Sequence, residues 1–357
     1  MRLYSFSFAA LLAVWTLGFW QNATPHPTSI TTETQRFTLT PDMPVWDVLV
    51  RLGKARRHAV DTTVAGYSVE KGKEIVHKGF TTHPTTGKKT KRQSKYFTCI
   101  ACHNTVRETK DLTSHDPQAR LQYAVDNKIP FLQGSTLFGI VNREAFYNGD
   151  YQKKYGSVPD IKAANQDLRK AIHVCATQCS QGRPLEKWEM ESVLAYLWSL
   201  QLRLSDLPLT SSDYKEIEEA IGSDRNLAQA VSIIEDLFAL YQPATFPEVM
   251  EYRTLDSRVI GDAARFQNGK NIYDLSCKHC HEGKKFSFFA LDDSRKSFQY
   301  LNNKMKNGHA HSLYKITRLG TYPLTGKRAY MPQYTAEKLS NEQLIDLRVY
   351  VQKMAEK

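Results

Sequence analysis

Two copies of the pattern Cys-x-x-Cys-His constrain this chain more than any other feature of its sequence. The copies are residues 99–103 (Cys-Ile-Ala-Cys-His) and residues 277–281 (Cys-Lys-His-Cys-His). Two thiols at this spacing can add to the two vinyl groups of haem, and the adjacent histidine can reach the iron from the proximal side. The pattern therefore predicts two covalently bound haem c groups, attached at Cys99, Cys102, Cys277 and Cys280.

The histidines of the two motifs, His103 and His281, are the predicted proximal iron ligands. The alternative for each pair of thiols is a redox pair or half of a zinc site. A zinc site would require the four cysteines to converge, and it would leave both histidines placed by accident. A Gly-Lys-x-Ile helix precedes each motif, at Gly72 and at Gly269, so the two halves repeat each other loosely. This repeat favours haem attachment at both sites.

The N-terminus predicts export of the chain. Residues 1–23 contain one basic residue and no acidic residue, and their apolar run has the length of a signal-peptide core, which is short for a membrane-spanning helix. We expect a signal peptide, or an uncleaved N-terminal anchor, and a periplasmic location for the rest. Residues 24–40 are rich in Thr, Pro and Ser and predict a tether.

The remaining sequence predicts an all-α fold. Apolar residues are 41% of the chain and charged residues 24%, which excludes a wholly disordered protein. Helical periodicity marks residues 161–179 and 188–202, and residues 70–79 predict a helix that ends at Gly79. A capping box at 340–343 predicts the start of a last helix. The sequence has no alternating strand pattern of any length.

The 357 residues suffice for two domains. We predict a haem 1 domain at 24–204, a helical linker at 205–255 and a haem 2 domain at 256–357. Each predicted domain closes with an apolar helix. The expected architecture is therefore two cytochrome c-type haem domains joined by a helical linker.

The formal net charge of +11 favours an anionic partner. The basic run at 88–95 has little aromatic interleaving, and nucleic acid is a poor match for an exported chain. We therefore predict no nucleic-acid partner. A small anion or an acidic protein surface fits the charge better.

Met331 is the predicted sixth ligand of haem 2. It stands in the run Tyr-Met-Pro, after the second motif and before the closing helix. A thioether ligand there would complete His/Met ligation, which raises the reduction potential of a haem. A buried core methionine is the alternative reading, and Met305 is the nearest rival ligand.

Haem 1 lacks a comparable methionine. No Met lies between His103 and position 188, and Met190 falls on the apolar stripe of the closing helix. The two remaining cysteines, Cys175 and Cys179, stand four residues apart in a helical run, within reach of a disulfide. Three readings stay open at this point: a disulfide, a thiolate ligand to haem 1 from one of the pair, or ligation by His173.

The segment around these cysteines resembles a known family. The run Cys175-x6-Gly182-Arg183-Pro184-Leu185, followed by an apolar helix, resembles the first domain of the dihaem thiosulfate dehydrogenases. The resemblance covers roughly residues 65–205 and 255–355. It implies that Cys175 is the distal ligand of a catalytic haem 1, and that the second domain is an ordinary cytochrome c domain with Met331 as ligand.

The sequence also departs from the family pattern. Family members carry Arg-Ser where this chain has Gln178 and Cys179, and the spacing from His103 to Cys175 is longer than usual. The longer spacing predicts an insertion near residues 110–130.

The resemblance implies an exported oxidoreductase that couples two thiosulfates to tetrathionate, or catalyses the reverse, at haem 1. Electrons would pass through haem 2 to a soluble or membrane redox partner, such as a cytochrome or an oxidase. Because the substrate is a small sulfur oxyanion, the site needs cations, and Arg183 is the predicted catalytic partner of Cys175, with Arg143 and Lys95 as further candidates. The alternatives are a non-catalytic dihaem electron-transfer cytochrome serving a respiratory oxidase or dehydrogenase, and a peroxidase-like dihaem enzyme.

Overall fold

Helices supply all the regular secondary structure of the described chain. The computed structural model describes residues 37–158, 160–287, 289–321 and 330–357. Within them there is no β-strand, and pairing of extended backbone is limited to isolated bridges at Pro44–Arg203 and Thr82–Lys89. The all-α prediction is therefore confirmed for these residues. The predicted export segment, residues 1–23, and most of the predicted tether lie outside them.

Among the described residues, nine α-helices precede the irregular stretch that joins the two halves of the sequence. They are α1 (Val45–Arg51), α2 (Val69–Lys78), α3 (Pro117–Asn127), α4 (Asp150–Lys154), α5 (Ile161–Ala164), α6 (Leu168–Val174), α7 (Lys187–Ser199), α8 (Ser211–Ser223) and α9 (Leu227–Glu235). Short 3-10 turns occupy Cys99–Ala101, Ile140–Asn142 and Leu204–Asp206. A π-helical turn follows α6 directly, at Cys175–Cys179.

The second half contributes six more described α-helices. They are α10 (Ser257–Gly261), α11 (Ala263–Ile272), α12 (Lys278–His281), α13 (Arg295–Lys306), α14 (Leu313–Leu319) and α15 (Asn341–Glu356). A π-helical turn at Tyr273–Cys277 joins α11 to α12, and a 3-10 turn follows at Glu282–Lys284. None of the helices in the described ranges is both long and apolar enough to cross a bilayer.

Caps and turn residues set the helix ends that the sequence predicted. The Ser68 hydroxyl accepts from the Lys71 amide at the start of α2, and Gly79, with a left-handed φ of 77°, ends it. At α15, Ser340 and Gln343 form the predicted reciprocal capping box. These local signals explain why both ends of α2 and the start of α15 follow the prediction.

Each half is built on a pair of crossing helices with a glycine at the crossing point. A Cβ atom on Gly72 of α2 would lie 1.8 Å from the carbonyl oxygen of Ser192 in α7. A Cβ atom on Gly269 of α11 would lie 2.0 Å from the carbonyl oxygen of Asp346 in α15. Only glycine permits backbones this close. The loose sequence repeat therefore corresponds to one helix-crossing geometry used twice.

The two halves do not divide cleanly at the predicted linker. One core draws on residues between Leu39 and Phe238, and it includes buried side chains of α8 and α9, which the sequence placed in the linker. The second core is formed mainly by α11 and α13–α15, but it also buries Leu121, Ala124 and Phe131. Helix α3, in the predicted insertion, thus packs with the second half.

Two hydrogen bonds hold α3 and the residues after it against the second half, an arrangement that we call the crossover of α3. The Phe131 amide donates to the Leu275 carbonyl at 2.9 Å, and the Gln343 side chain donates to the Pro117 carbonyl at 2.8 Å. Residues from Phe37 to Lys357 accordingly form one compact unit. The two CxxCH segments are held within this single unit.

Candidate functional site

The two CxxCH motifs touch each other. The Cys280 sulfur lies 3.8 Å from the carbonyl oxygen of Ala101, and the His279 ring hydrogen-bonds the backbone of Ile100. The six cysteines are free thiols. Ile100 and Ala101 of the first motif therefore contact His279 and Cys280 of the second, although the two motifs are far apart in the sequence.

His103 is held in the orientation that a metal-ligating histidine needs. Its Nδ1–H donates to the carbonyl oxygen of Ser135 at 2.6 Å, which leaves Nε2 with its lone pair. Burial lowers the pKa of His103, so the imidazole is neutral at pH 7, which is the form that binds a metal. Gly134 makes this approach possible, because a Cβ atom there would lie 2.7 Å from the imidazole ring.

His281 is oriented in the same way in the second motif. Its Nδ1–H donates to the carbonyl oxygen of Phe289 at 2.8 Å, and burial lowers its pKa. In both motifs a backbone carbonyl therefore fixes the tautomer that has Nε2 available. The sequence does not indicate which carbonyls accept these hydrogen bonds, because Ser135 and Phe289 lie at different distances along the chain from their histidines.

The four motif thiols are partly buried and protonated. Burial raises the pKa of Cys99 and of Cys280 to about 11, and that of Cys277 to about 12. It also raises the pKa of Cys102 above its ordinary value. Free thiol pairs beside histidines with an available Nε2 fit covalently attached haem. In the described ranges, no three His, Cys, Asp or Glu side chains form a group that could hold a metal ion directly.

Cys175 and Cys179 lie against the first motif. The π-helical turn, closed by the Ser180 amide donating to the Cys175 carbonyl at 2.8 Å, brings the two thiols into hydrogen-bond contact. Cys99 and Cys102 are close enough to Cys175 for their charges to raise its pKa. The structure thus places Cys175 and Cys179 together beside Cys99 and Cys102, and a role of Cys175 as a haem 1 ligand stays a prediction.

Hydrogen-bond donors converge on Cys179 rather than on Cys175. The Cys175 thiol donates to the Cys179 sulfur, and with the hydroxyls of Tyr147 and Tyr155 this lowers the pKa of Cys179 despite its burial. The same thiol–thiol bond, together with burial, raises the pKa of Cys175. Of the two thiols, Cys179 therefore ionises first in this arrangement.

A cluster of tyrosines surrounds these thiols. Tyr151 stacks on Tyr155 with ring centroids 6.1 Å apart, and it meets Tyr147 edge-on at 5.6 Å. Tyr147 has a φ of 51°, a conformation that a bulky residue adopts only where the surroundings enforce it. The sequence reasoning missed this cluster, although the spacing 147, 151, 155 is helical. The three tyrosines lie outside the runs whose apolar periodicity predicts helices, at 70–79, 161–179 and 188–202.

The second half completes the wall of this cluster. The rings of Tyr330 and Phe97 are 5.9 Å apart and nearly perpendicular, and the Lys154 ammonium donates to the Gln333 side chain. Burial raises the pKa of Tyr330, with Cys179 and Cys175 among the nearby groups. Tyr330, which precedes the predicted haem 2 ligand Met331, therefore also lies beside Cys175 and Cys179. We call these two thiols and the tyrosines around them the thiol site.

Met331 is held at the edge of the second core. Its amide donates to the Thr321 hydroxyl at 2.7 Å, and its carbonyl accepts from the Thr321 amide at 2.9 Å. Its side chain is partly buried against the core that Cys277 also contacts, whereas the rival Met305 is 1% exposed inside that core. Met331 as iron ligand stays a prediction, and Met305 occupies a packing position.

Arg183 is committed to another partner. Its guanidinium forms two hydrogen bonds of 2.6 Å with the Glu189 carboxylate, and it also donates to the Lys91 carbonyl at 2.9 Å. The cation that acts on the Cys179 thiol is Lys154, whose own pKa burial lowers to about 8. Sequence reasoning missed Lys154, because nothing in its local sequence distinguishes it from Lys153.

The other candidate cations lie elsewhere. Lys95 is exposed, with its ammonium 5.8 Å from the centre of the Tyr96 ring. Arg143 lies near His103, in a cavity that does not include the two thiols. His173, the competing haem 1 ligand, is in the last turn of α6, just before the cysteine turn.

Comparison with known protein families, curated proteins and solved structures gives no match to this chain.

Proposed function

We propose that this protein is an exported dihaem c-type cytochrome that oxidises thiosulfate to tetrathionate, or catalyses the reverse reaction. The observation that carries the proposal is a partly buried pair of thiols, Cys175 and Cys179, that lies close to the cysteines of the first CxxCH motif. Cys99, Cys102 and His103 would hold haem 1, with Cys175 as its distal ligand. The residues that would hold haem 2 are Cys277, Cys280, His281 and Met331.

When bound, each haem would supply a one-electron acceptor. Two thiosulfates that join as one tetrathionate release two electrons, so two haems match the stoichiometry. Because the Ala101 carbonyl and the Cys280 sulfur lie 3.8 Å apart, the two halves offer a short path for electrons. A thiolate ligand lowers a haem potential and a thioether raises it, so electrons would flow from the Cys175 side to the Met331 side.

The chemistry at the thiol can be written with its electrons balanced. Because Cys179 ionises first, the Cys175 thiol would pass its proton to the Cys179 sulfur to which it already donates. The Cys175 thiolate would then bond the sulfane sulfur of one thiosulfate to give a Cys-S-S-sulfonate adduct, and the two electrons released would leave through the redox groups that the two CxxCH motifs would hold. A second thiosulfate then attacks that sulfane sulfur, the cysteine thiolate leaves, and tetrathionate is released. The reverse direction consumes two electrons and returns two thiosulfates.

The residues around the thiols suit a sulfur oxyanion. Lys154 would supply positive charge for the dianionic substrate, and the hydroxyls of Tyr147 and Tyr155 would supply hydrogen bonds to its oxygens or to the thiolate. Arg183, which is paired with Glu189, would then stabilise the loop after the cysteine turn. In this proposal the role first predicted for Arg183 passes to Lys154.

The test is an activity assay on the purified holoprotein with thiosulfate and with tetrathionate as substrates. The proposal expects turnover of at least one of them, together with electron transfer to an artificial acceptor or from a donor. Absence of both activities in a protein that carries two haems would leave the electron-transfer alternative.

That alternative has its own supporting observation. The loop before the first motif exposes a run of cations that form no ion pair with another described residue; they are Lys88, Lys89, Lys91, Arg92 and Lys95. Such a surface suits an acidic redox partner, and steered association of this kind weakens as salt is added. A pure electron carrier would show salt-dependent reduction by its partner and no turnover of small sulfur anions.

A further inference from the structure

A cavity lies near His103, apart from Cys175, Cys179 and the tyrosines around them. It has a volume of about 60 Å³, and its charged and polar lining includes Glu108, His115, Arg120, Arg143, Gln242 and Lys338. We call it the proximal cavity. Neither of the two thiols nor any tyrosine of the thiol site lines it.

The interior of the proximal cavity holds three cations and one carboxylate. Arg120 donates to Glu108 at 3.1 Å, and the Lys338 ammonium lies 3.5 Å from the same carboxylate. Burial by itself would raise the pKa of Glu108, but these two cations hold it at about 2. Glu108 is therefore ionised at every pH at which the protein is expected to work, and it can neutralise only one of the cations.

The two acidic residues at the rim are engaged elsewhere. Asp116 is exposed and accepts from the Gln118 amide at 2.7 Å at the start of α3. Glu337 accepts from the Thr245 amide at 3.1 Å. Both carboxylates thus satisfy backbone donors and do not pair with Arg143.

Arg143 has no charged or hydrogen-bonding side-chain partner among the described residues. No hydrogen bond or ion pair of its guanidinium is formed within these ranges, and the nearest acid that acts on it is Glu108. Burial lowers the pKa of Arg143 to about 10 and that of Lys338 to about 7. The half-buried Arg143 guanidinium and the buried Lys338 ammonium share a cavity whose one interior carboxylate, Glu108, already accepts from Arg120, so the cavity lacks negative charge.

We propose that the proximal cavity binds a small carboxylate or oxyanion group between Arg143 and Lys338. A water molecule needs roughly 10–15 Å³ of such space, so the cavity holds a group the size of a few waters and excludes a nucleotide. The planar guanidinium of Arg143 suits two oxygens of one anion, and the ammonium of Lys338 supplies a point charge. The anion comes from one of two sources: a free oxyanion, or a carboxylate of haem 1, which rests on the proposed function.

The occupant would act on the proximal histidine through the cavity wall. The Ser135 hydroxyl donates to the Gln242 side chain, which lines the cavity, and the Ser135 carbonyl accepts from His103. The group that orients His103 is thus attached to the wall of the anion site. Arg143 and Lys338 are positioning residues in this scheme, because they act on His103 through other groups.

The test is a phosphate titration of the purified holoprotein at constant ionic strength, followed by thermal unfolding and by redox titration of both haems. The variant is Arg143→Gln, and the matched control is Arg258→Gln, an exposed arginine paired with Asp256. A free-oxyanion site gives saturable stabilisation by phosphate in the parent and the control, and an apparent Kd at least tenfold weaker in Arg143→Gln.

A haem carboxylate in the cavity gives a different result that also supports the proposal. Phosphate then has no saturable effect, but Arg143→Gln lowers the midpoint potential of one haem, because a positive charge near iron favours the ferrous form. If Arg143→Gln does not fold, Arg143→Lys and Lys338→Gln allow the same comparison. Equal phosphate responses and equal potentials in parent, variant and control would overturn the proposal. Loss of thiosulfate turnover alone would bear only on the proposed function.

Discussion

The sulfur of Cys280 rests 3.8 Å from the carbonyl oxygen of Ala101, so the second CxxCH motif packs directly on the first. Cys280 also lies close enough to Cys102 for its charge to raise the pKa of Cys102. If both motifs carry haem, this contact would place two redox groups within one compact unit.

Haem content is the first prediction. The denatured protein should keep two haems per chain after acid–acetone extraction, because thioether bonds survive unfolding. Cys280→Ser should reduce covalent retention at one site, and Cys102→Ser at the other. A single haem in the parent, or bound zinc in place of iron, would contradict both the cofactor assignment and the two-domain cytochrome reading.

Cys175 and Cys179 should differ in their effects. Cys175→Gly should keep both haems and lose thiosulfate–tetrathionate turnover by at least a hundredfold, which is about 2.7 kcal/mol of transition-state stabilisation. Cys179→Ser should be milder, and the narrow low-spin ferric EPR signal of thiolate ligation should vanish only in Cys175→Gly. Equal loss in both variants would indicate a disulfide, and loss in Cys179→Ser alone would move the ligand to Cys179.

We expect Lys154, but not the adjacent Lys153, to contribute to substrate binding. Lys154→Gln should raise KM for thiosulfate about tenfold, and Lys153→Gln, whose side chain is 85% exposed, should leave it unchanged. Because burial lowers the pKa of Lys154 to about 8, the ammonium is charged below that pH and neutral above it. Substrate affinity should therefore fall as the pH rises through about 8, and this fall should be absent in Lys154→Gln. Equal KM values in the two variants would exclude Lys154 from substrate binding.

Met331 can be tested by spectroscopy. Met331→Ala should remove the thioether–iron absorption band at the red end of the visible spectrum and lower one of the two potentials. Met305→Leu should preserve the band, because Met305 is a core side chain that is 1% exposed. Survival of the band in Met331→Ala would assign another ligand to haem 2.

The helix crossings predict a large effect on stability. Gly269→Ala should destabilise the protein by about 3 kcal/mol, because the new Cβ would lie 2.0 Å from the Asp346 carbonyl and the helices would have to separate. Gly222→Ala, in α8, has nothing within 4 Å and should stabilise by up to about 1 kcal/mol. Urea denaturation measures both, and equal midpoints would show that the crossing tolerates a methyl group.

Local signals predicted the local structure well. The cap at Ser68, the stop at Gly79 and the capping box at Ser340 all lie within a few residues of what they control. Residues 161–179 were expected as one helical run, but Asp167 caps a new helix by accepting from the Arg169 and Lys170 amides. Asp167 is a typical N-cap residue and so indicates a helix start, but the apolar periodicity on both sides of it predicts one continuous helix.

Long-range partners could not be read from the sequence. The pairing of Arg183 with Glu189 crosses a turn, and the approach of Lys154 to Cys179 depends on how α4 packs against the cysteine turn. Likewise, nothing in residues 117–127 indicates that Leu121 belongs to the second core. Such contacts depend on tertiary packing, which neither periodicity nor capping residues encode.

The crossover of α3 has a consequence for the biogenesis of this chain. Leu121 and Phe131 leave the ribosome long before Ile272 and Leu347, the partners that bury them. At ~5–20 residues per second, the early segment remains uncovered for roughly ten seconds or more. During that time Leu121, Ala124 and Phe131 lack the residues that cover them in the folded unit. A truncated product that stops before α11 would keep this helix uncovered, so such fragments should aggregate or be degraded, and the N-terminal half cannot serve as an independent module.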